Sequence, residues 1–191
     1  AFNNCNGFSG RLVLPSSLET IRYAAFSYCS GLTGSLTIPQ KLTEIGGSAF
    51  QKCSFDGTLS LPNGITTIGS NAFARCAFKG ELILPSNIKV IESGAFSGNQ
   101  FSGTLHLPSS LTILGGYAFS DNMQLTGTLE IPDKLTSIKE KAFYGCSMIE
   151  GLVLPANLET IYNNAFKNCF GIGSIVCKGA EPAYVKSGAF N

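Results

Sequence analysis

Seven cysteines and one histidine are the residues of this chain with the greatest capacity for chemistry. A thiolate is a nucleophile or a metal ligand, and histidine is the usual general base near neutral pH. Six of the cysteines share one position, three residues after a phenylalanine: Cys5, Cys29, Cys53, Cys76, Cys146 and Cys169. At two further copies of that position the residue is Asn99 or Asn122. A position that accepts either Cys or Asn indicates a small polar side chain with a structural role. We therefore expect free, buried thiols that are hydrogen-bonded to the backbone, and no disulfide.

The spacing of the cysteines also argues against a metal site. Structural zinc is held by four ligands, and these typically come as closely spaced pairs such as CxxC. No such pair occurs in this chain, and the chain has no second histidine to complete a mixed site. Cys177 stands outside the series. We expect no metal and no cofactor.

Catalytic arrangements of other kinds are equally unsupported. A Ser-His-Asp triad would have to be built on His106, and no motif directs Asp121 or Asp133 towards it. Glu81 and Glu130 are expected to lie two coils apart, beyond the spacing of a glycosidase carboxylate pair. The glycine-rich dinucleotide, phosphate-loop and HExxH patterns are missing. The sequence predicts that the chain is not an enzyme.

The phenylalanines reveal what positions these residues. An Ala-Phe dipeptide returns at a nearly constant interval along the whole chain. The anchor phenylalanines are Phe2, Phe26, Phe50, Phe73, Phe96, Phe119, Phe143, Phe166 and Phe190. This interval, about 23–24 residues, is typical of a solenoid in which each repeat forms one coil. We predict about eight coils in a single domain over residues 1–191, with 170–191 an atypical, capping repeat because Lys178 replaces the usual proline.

One repeat reads xLxLPxxLxxIxxxAFxxC and predicts the path of a coil. The LxL segment alternates with period two, which indicates a half-buried strand that ends at the proline. The AFxxC segment is expected to form a single helical or 3₁₀ turn. Each apolar position returns once in every repeat. The copies are therefore expected to form columns of Leu, Ile and Phe that make up the core.

Charge and hydropathy exclude several classes of partner. Lys and Arg number 13 against 12 Asp and Glu, which gives a net charge of +1. Nucleic acid and anionic membranes both require a strongly basic surface, so neither is expected as a partner. The apolar runs are far shorter than the roughly 20 residues that span a bilayer, so we expect no membrane insertion within this chain. The opening residues AFNNCNGF do not have the pattern of a signal peptide.

The repeated LxLPxxLxxIxxxAFxxC pattern resembles the BspA-like (Treponema pallidum type) leucine-rich repeats, over essentially the whole chain. The closing stretch from Cys177 to Pro182 is similar to the final repeats of that family. The resemblance implies a right-handed, curved solenoid of the α/β repeat class with short parallel strands. It also implies an extracellular or cell-surface protein that binds other proteins in adhesion, without catalysis. No binding residues are implied, because the family has no fixed binding motif.

The candidate binding surface follows from the LxL strand. If this strand lines the concave face, the middle residue of LxL points to solvent, and the residue before the first Leu flanks it. Arg11, Glu81, His106 and Glu130 are the charged or ionisable residues at these positions, and we take them as candidate binding residues for a protein ligand. We expect a monomer. Two alternatives stay open: a structural spacer that displays another domain, and a hydrolase with an unrecognised site.

Overall fold

The computed structural model describes residues 2–190, and Ala1 and Asn191, which belong to the predicted domain, lie outside the described residues. Within residues 2–190 the regular structure consists of short strands, and no helix is formed. In chain order the strands are β1 (Gly10–Arg11), β2 (Leu32–Thr33), β3 (Leu36–Thr37), β4 (Glu44–Ile45), β5 (Leu59–Ser60), β6 (Thr67–Ile68), β7 (Lys79–Gly80), β8 (Val90–Ile91), β9 (Gln100–Phe101), β10 (Gly103–Thr104), β11 (Ile113–Leu114), β12 (Leu125–Thr126), β13 (Thr128–Glu130), β14 (Ser137–Ile138), β15 (Gly151–Leu154), β16 (Thr160–Ile161), β17 (Ser174–Cys177) and β18 (Tyr184–Val185).

All strand pairs are parallel and join equivalent parts of neighbouring coils. Along the LxL segments β3 pairs with β5, and β15 lies between β13 and β17. Along the isoleucine segments the strand orders are β11-β8-β6-β4 and β14-β16-β18. These pairings confirm the predicted parallel solenoid of about eight coils. Two faces of the solenoid are thereby defined, the LxL face and the isoleucine face.

Three LxL segments depart from the prediction, because no strand forms at residues 12–14, 82–84 or 105–107. Several of the affected coils are instead joined at the corner that precedes LxL, where β1 pairs with β2, β7 with β9, and β10 with β12. The partners at this corner, such as Gly10 and Leu32, are closer in sequence than one full repeat. On this side of the solenoid, neighbouring coils are therefore paired either along LxL or at the corner before it.

The AFxxC segment forms the third side of the coil, and the predicted helical or 3₁₀ turn is wrong. Here the backbone N–H groups alternate between two kinds of partner. Phe50 N–H donates to the Ala72 carbonyl of the next coil at 2.8 Å, whereas Ala49 N–H donates to Gly46 of its own coil at 3.2 Å. A helix needs every N–H for its own i→i−4 bonds. Because half of them bond to the next coil, the segment is a series of tight turns, which we call the turn face: residues from three before to two after each anchor phenylalanine.

Left-handed backbone closes these turns on both sides of the Ala-Phe pair. Lys52 and Arg75, two residues after their anchors, each have φ of 56°, and Tyr117, two residues before its anchor, has φ of 59°. In the coil of Phe96 both positions are glycine, Gly94 and Gly98, each with φ of 66°. Side chains resist this conformation and glycine does not. The path of the coil thus requires the left-handed conformation even where the residue is not glycine.

The anchor phenylalanines form one continuous stack through the core. Neighbouring ring centroids from Phe26 to Phe166 lie 5.3–5.7 Å apart, and their planes differ by at most 11°. A second, shorter stack of Phe55, Phe78 and Phe101 meets the first edge-on, with centroids 6.1–6.2 Å apart. Both arrangements are favourable aromatic geometries. The predicted column of buried phenylalanines is confirmed from Phe50 to Phe166, each at most 1% exposed.

From Cys29 to Cys146, the length of the corner after the Cys or Asn position and the size of its buried side chain are inversely related. Where three residues separate this position from the Gly that precedes LxL, the apolar corner residue in this part of the chain is a phenylalanine: Phe55, Phe78 or Phe101. Where four residues separate them inside the stack, it is Leu32, Leu125 or Ile149. All six of these side chains are buried. A longer corner is therefore matched by a smaller side chain.

The last coil has no further coil packed against it within the described residues. Its core positions Ile175 and Val185 are 47% and 49% exposed, whereas Leu152 and Ile161 one coil earlier are 1% exposed. The atypical repeat over 170–191 thus lies at the end of the stack, and its role as a cap stays a prediction.

Candidate functional site

The Cys and Asn side chains form a ladder of hydrogen bonds down the inside of the solenoid. From Cys29 onwards, each one donates to the carbonyl of the anchor phenylalanine in the preceding coil. The donor–acceptor distances are 2.9 Å for Cys29 to Phe2, 3.0 Å for Cys53 to Phe26, 2.9 Å for Cys76 to Phe50, 2.8 Å for Asn99 to Phe73, 3.0 Å for Asn122 to Phe96, 3.2 Å for Cys146 to Phe119 and 3.0 Å for Cys169 to Phe143. A thiol and an amide both supply the required donor. This shared role explains why the position accepts either residue.

Burial suppresses the chemistry of these thiols. It raises the pKa of Cys53 and of Cys169 to about 12, and it raises the pKa of Cys76 and Cys146 well above the usual value. A backbone hydrogen bond in each case acts in the opposite direction, and desolvation outweighs it. The thiolate is the reactive form. The ladder therefore has a structural role and lacks the features of a nucleophilic site.

The two asparagines of the ladder differ at their second polar atom. The Asn99 side-chain oxygen accepts a bond from Phe78 N–H at 3.1 Å. The corresponding oxygen of Asn122 is buried and has no partner among the described residues. A buried polar atom without a partner costs stability. The same residue type is thus better satisfied at position 99 than at position 122.

The candidate binding residues all lie on exposed parts of the LxL side of the solenoid. The middle LxL residues point to solvent, as predicted, with Val13 81% and Ile83 70% exposed. His106 and Glu130 occupy this position in neighbouring coils and line the same hollow of about 280 Å³. Arg11 lies in the first coil and lines a separate hollow of about 360 Å³. Glu81 passes over Gly103 at the corner before LxL.

Lys178 joins the hollow of His106 and Glu130 from two coils away. Its ammonium contacts the Glu130 carboxylate at 2.6 Å. This hydrogen bond and the attraction between the charges lower the pKa of Glu130 and raise that of Lys178. Asp133 also lines the hollow. The hollow thus combines an imidazole, an ammonium and two carboxylates, and sequence reasoning missed Lys178 because proline occupies its position in the other coils.

Tyrosine and lysine side chains pair on the turn face and at the residue just before it. The Lys52 ammonium lies 4.7 Å from the Tyr28 ring centroid, that of Lys141 lies 5.0 Å from Tyr117, and that of Lys186 lies 4.2 Å from Tyr162. These are cation–π distances. In each pair the lysine occupies the position of the tyrosine in the next repeat. The sequence contained this signal, since residues one repeat apart lie in neighbouring coils.

Within residues 2–190, no cluster of three or more potential metal-binding side chains occurs. No helix there is long and apolar enough to cross a bilayer.

Known structures share this fold. A leucine-rich repeat protein from Bacteroides ovatus is 24% identical, with a TM-score of 0.57 over 93% of this chain and 56% of that protein. The chain thus spans little more than half of that protein's length. A leucine rich cell surface protein from Faecalibacterium prausnitzii is 18% identical, with a TM-score of 0.50 over 94% of this chain and 68% of that protein. No curated protein sequence matches the chain.

The family model of the BspA type leucine rich repeat region matches six copies, over residues 1–126 and 66–191. Together these matches cover the whole chain. They coincide with the repeat whose Phe stack, Cys and Asn ladder and parallel strands are described above. The chain belongs to the BspA type leucine-rich repeat family.

Proposed function

We propose that this chain is a non-catalytic, monomeric protein-binding module that uses its LxL face. The observation that carries the proposal is the contrast between the two sides of the LxL strand. Leu36, Leu59 and Leu129 are at most 5% exposed and repeat from coil to coil, while the middle residue of the LxL segment varies in charge and size. A regular backbone thus presents to solvent side chains that change along the stack, such as Ile83, His106 and Glu130. Repeat proteins build extended binding surfaces in this way.

The chemistry of the LxL face suits a protein partner. Exposed Val13 and Ile83 alternate with the ionisable residues Arg11, His106 and Glu130. Protein interfaces combine apolar contact with a limited number of charged and hydrogen-bonding groups. We include in the proposal the right-handed, curved winding that the family implies, with the LxL face concave.

The 2.6 Å contact between Glu130 and Lys178 supports a binding role for this hollow over a hydrolytic one. A glutamic acid that donates a proton in catalysis needs a raised pKa, and an effective general base needs a pKa near the working pH. Glu130 has a lowered pKa because it is bonded to Lys178. This carboxylate is therefore suited to an ion pair with a partner or with Lys178.

We further propose that the module acts at the cell surface or in the extracellular space, in adhesion to host or neighbouring-cell proteins. The support is the family, together with the description of the Faecalibacterium prausnitzii protein of the same fold as a cell surface protein.

The test is biolayer interferometry of the chain against a panel of host matrix and plasma proteins. The LxL-face variant carries Arg11→Glu, Glu81→Lys, His106→Ala and Glu130→Lys. The matched control carries Lys89→Glu, Glu44→Lys, Glu159→Lys and Thr43→Ala, which change the formal charge equally but lie on or beside the isoleucine face. Saturable binding that the LxL-face variant loses and the control keeps is the expected result. Binding that survives in the LxL-face variant contradicts the assignment of the face, and no binding to any panel member favours the spacer alternative.

A further inference from the structure

A groove of about 530 Å³ crosses the turn face between Tyr28 and Tyr117. In the fourth of the five coils that line it, the coil of Phe96, Gly94 and Gly98 stand at the two left-handed positions. Other coils carry large side chains at the same positions, among them Lys52 and Arg75. The two glycines leave room for side chains of the preceding coil, and the Asn71 side-chain oxygen and the Arg75 Cγ lie against them.

The two ends of the groove have different chemistry. At one end the Lys52 ammonium is held over the Tyr28 ring at 4.7 Å, and exposed Arg75 lies beside it with its Cγ close to Gly98. At the other end Lys141 covers one face of the Tyr117 ring at 5.0 Å. Since Lys141 comes from the following coil, the opposite face of Tyr117 is directed towards the coil of Gly94. One end thus offers two cations, and the other offers an aromatic ring.

The floor of the groove is saturated with backbone hydrogen bonds. Arg75 N–H donates to the Ser97 carbonyl at 2.7 Å, and Gly98 N–H donates to Ser120 at 2.8 Å. An extended peptide that binds by strand addition needs free backbone groups at an edge. Such a peptide finds none here, so a ligand must be recognised by side chains.

The side chains along the floor are hydroxyls and amides. Those that line the groove are Gln51, Asn71, Ser93, Ser97 and Ser120. These groups both donate and accept hydrogen bonds, as the hydroxyls of a sugar do. Aliphatic side chains of the kind that enter a bilayer are missing from the lining. The lining is suited to a ligand with many hydroxyl groups.

Charge selects among such ligands. The groove holds Lys52 and Arg75 against a single carboxylate, Asp121, whose oxygen lies close to Gly145 in the following coil. Because Asp121 is directed away from the two cations, the Lys52–Arg75 end of the groove is positive although the chain as a whole has a net charge of only +1. An anionic group is therefore favoured at that end.

We propose that this groove binds an acidic oligosaccharide. Its carboxylate or sulfate contacts Lys52 and Arg75, and a sugar ring stacks on the open face of Tyr117. The anchor rings of the four coil-to-coil steps that separate Tyr28 from Tyr117 are 5.3–5.6 Å apart, so the groove is about 20 Å long and holds several sugar units. This site is on a different face from the proposed protein-binding surface and is independent of it.

The test is a titration of the full chain followed by ¹H–¹⁵N NMR and calorimetry. The probes are a galacturonic acid hexasaccharide for carboxylate and a heparin-derived hexasaccharide for sulfate, with maltohexaose as the neutral comparison. We expect either or both acidic probes to shift the amide signals of Gly94, Ser97 and Gly98, with affinity that falls as salt screens the contacts. No binding of either acidic probe, equal binding of maltohexaose, or shifts confined to the LxL face would overturn the proposal.

Substitutions of Lys52 with Arg75, and of Tyr117, test which side chains contact the saccharide. The double variant Lys52→Gln with Arg75→Gln should weaken binding at least tenfold, while the control Lys79→Gln with Lys89→Gln, which removes the same charge from exposed sites elsewhere, should change it by less than about twofold. Tyr117→Leu should lose binding that Tyr117→Phe keeps. Circular dichroism checks that each variant is folded. Unchanged affinity in the first double variant overturns the site. Equal affinity for a glutamate hexapeptide or for phosphatidylserine vesicles overturns the saccharide assignment.

Discussion

Phe96→Ala should destabilise the solenoid far more than the same truncation at the end of the stack. Phe96 is fully buried between Phe73 and Phe119, with ring centroids 5.6 and 5.3 Å away and planes tilted by 11° in each case. Its edge also meets Phe101 at 6.2 Å. Truncation of a buried phenylalanine costs about 3–5 kcal/mol, because apolar area is lost and a cavity remains. The loss of two stacked neighbours places the expected value in the upper half of that range.

The matched control is Phe2→Ala at the other extreme of the column. Phe2 is 48% exposed, stacks on Phe26 alone and meets Phe8 edge-on at 5.3 Å, so its truncation should cost about 1–2 kcal/mol. Urea unfolding followed by circular dichroism measures both values, and hydrogen exchange at the Phe73 and Phe96 amides, which bond to Ala95 and Ala118, reports the local loss. A cost below about 1 kcal/mol for Phe96→Ala, or equal costs for the two variants, would refute a core built on continuous stacking.

Four further results are expected. Asn99→Cys should cost about 1–3 kcal/mol of stability, because Phe78 N–H loses its buried acceptor. Asn122→Cys should cost clearly less, because the Asn122 oxygen has no partner among the described residues. Urea unfolding compares the two variants, and equal costs would contradict the ladder geometry. Alkylation of the folded protein followed by peptide mass spectrometry should modify exposed Cys177 first and Cys76 and Cys146 last. Since the folded pKa of Cys53 and Cys169 is raised from 9.0 to about 12, their contribution to stability is complete below pH 9.0 and is lost as pH rises towards about 12, so the urea midpoint should fall over that window. Finally, Lys178→Gln should raise the pKa of Glu130 towards its ordinary value in a carbonyl-detected NMR titration, and an unchanged pKa would remove the ion pair as its cause.

The repeat made most of the fold readable from the sequence. Each ladder or column residue appears once in every repeat, so a single alignment identifies the stacked Phe positions, the paired strands and the interchangeable Cys and Asn. The helical turn was predicted wrongly, because AFxxC has the local spacing of a helix. Its N–H groups bond to the next coil, as Phe50 does to Ala72, and that competition between coils is invisible in one repeat.

The candidate sites were only partly predictable. The outward direction of the LxL residues follows from strand geometry. That His106 and Glu130 line one hollow is seen only in the structure. Lys178 was missed because it belongs to the one repeat that lacks the proline. The groove beside Tyr117 is lined by residues of five coils, among them Gly94, Gly98 and the cations Lys52 and Arg75. No single repeat contains this combination, so a search for a motif within one repeat does not find the groove.

The three- or four-residue corner after the Cys or Asn position has a consequence for how such an array evolves. An insertion within the Ala-Phe segment would exchange the N–H groups that bond to the next coil with those that bond within their own, and so would separate the coils. An insertion at the corner alters only a surface turn, and a change from Phe78 to a residue like Leu125 accommodates it. Recombination that joins repeats at these corners keeps every ladder in register. The number of coils, and the surface residues that each coil adds, are therefore free to change while the path of a single coil is conserved by its hydrogen bonds.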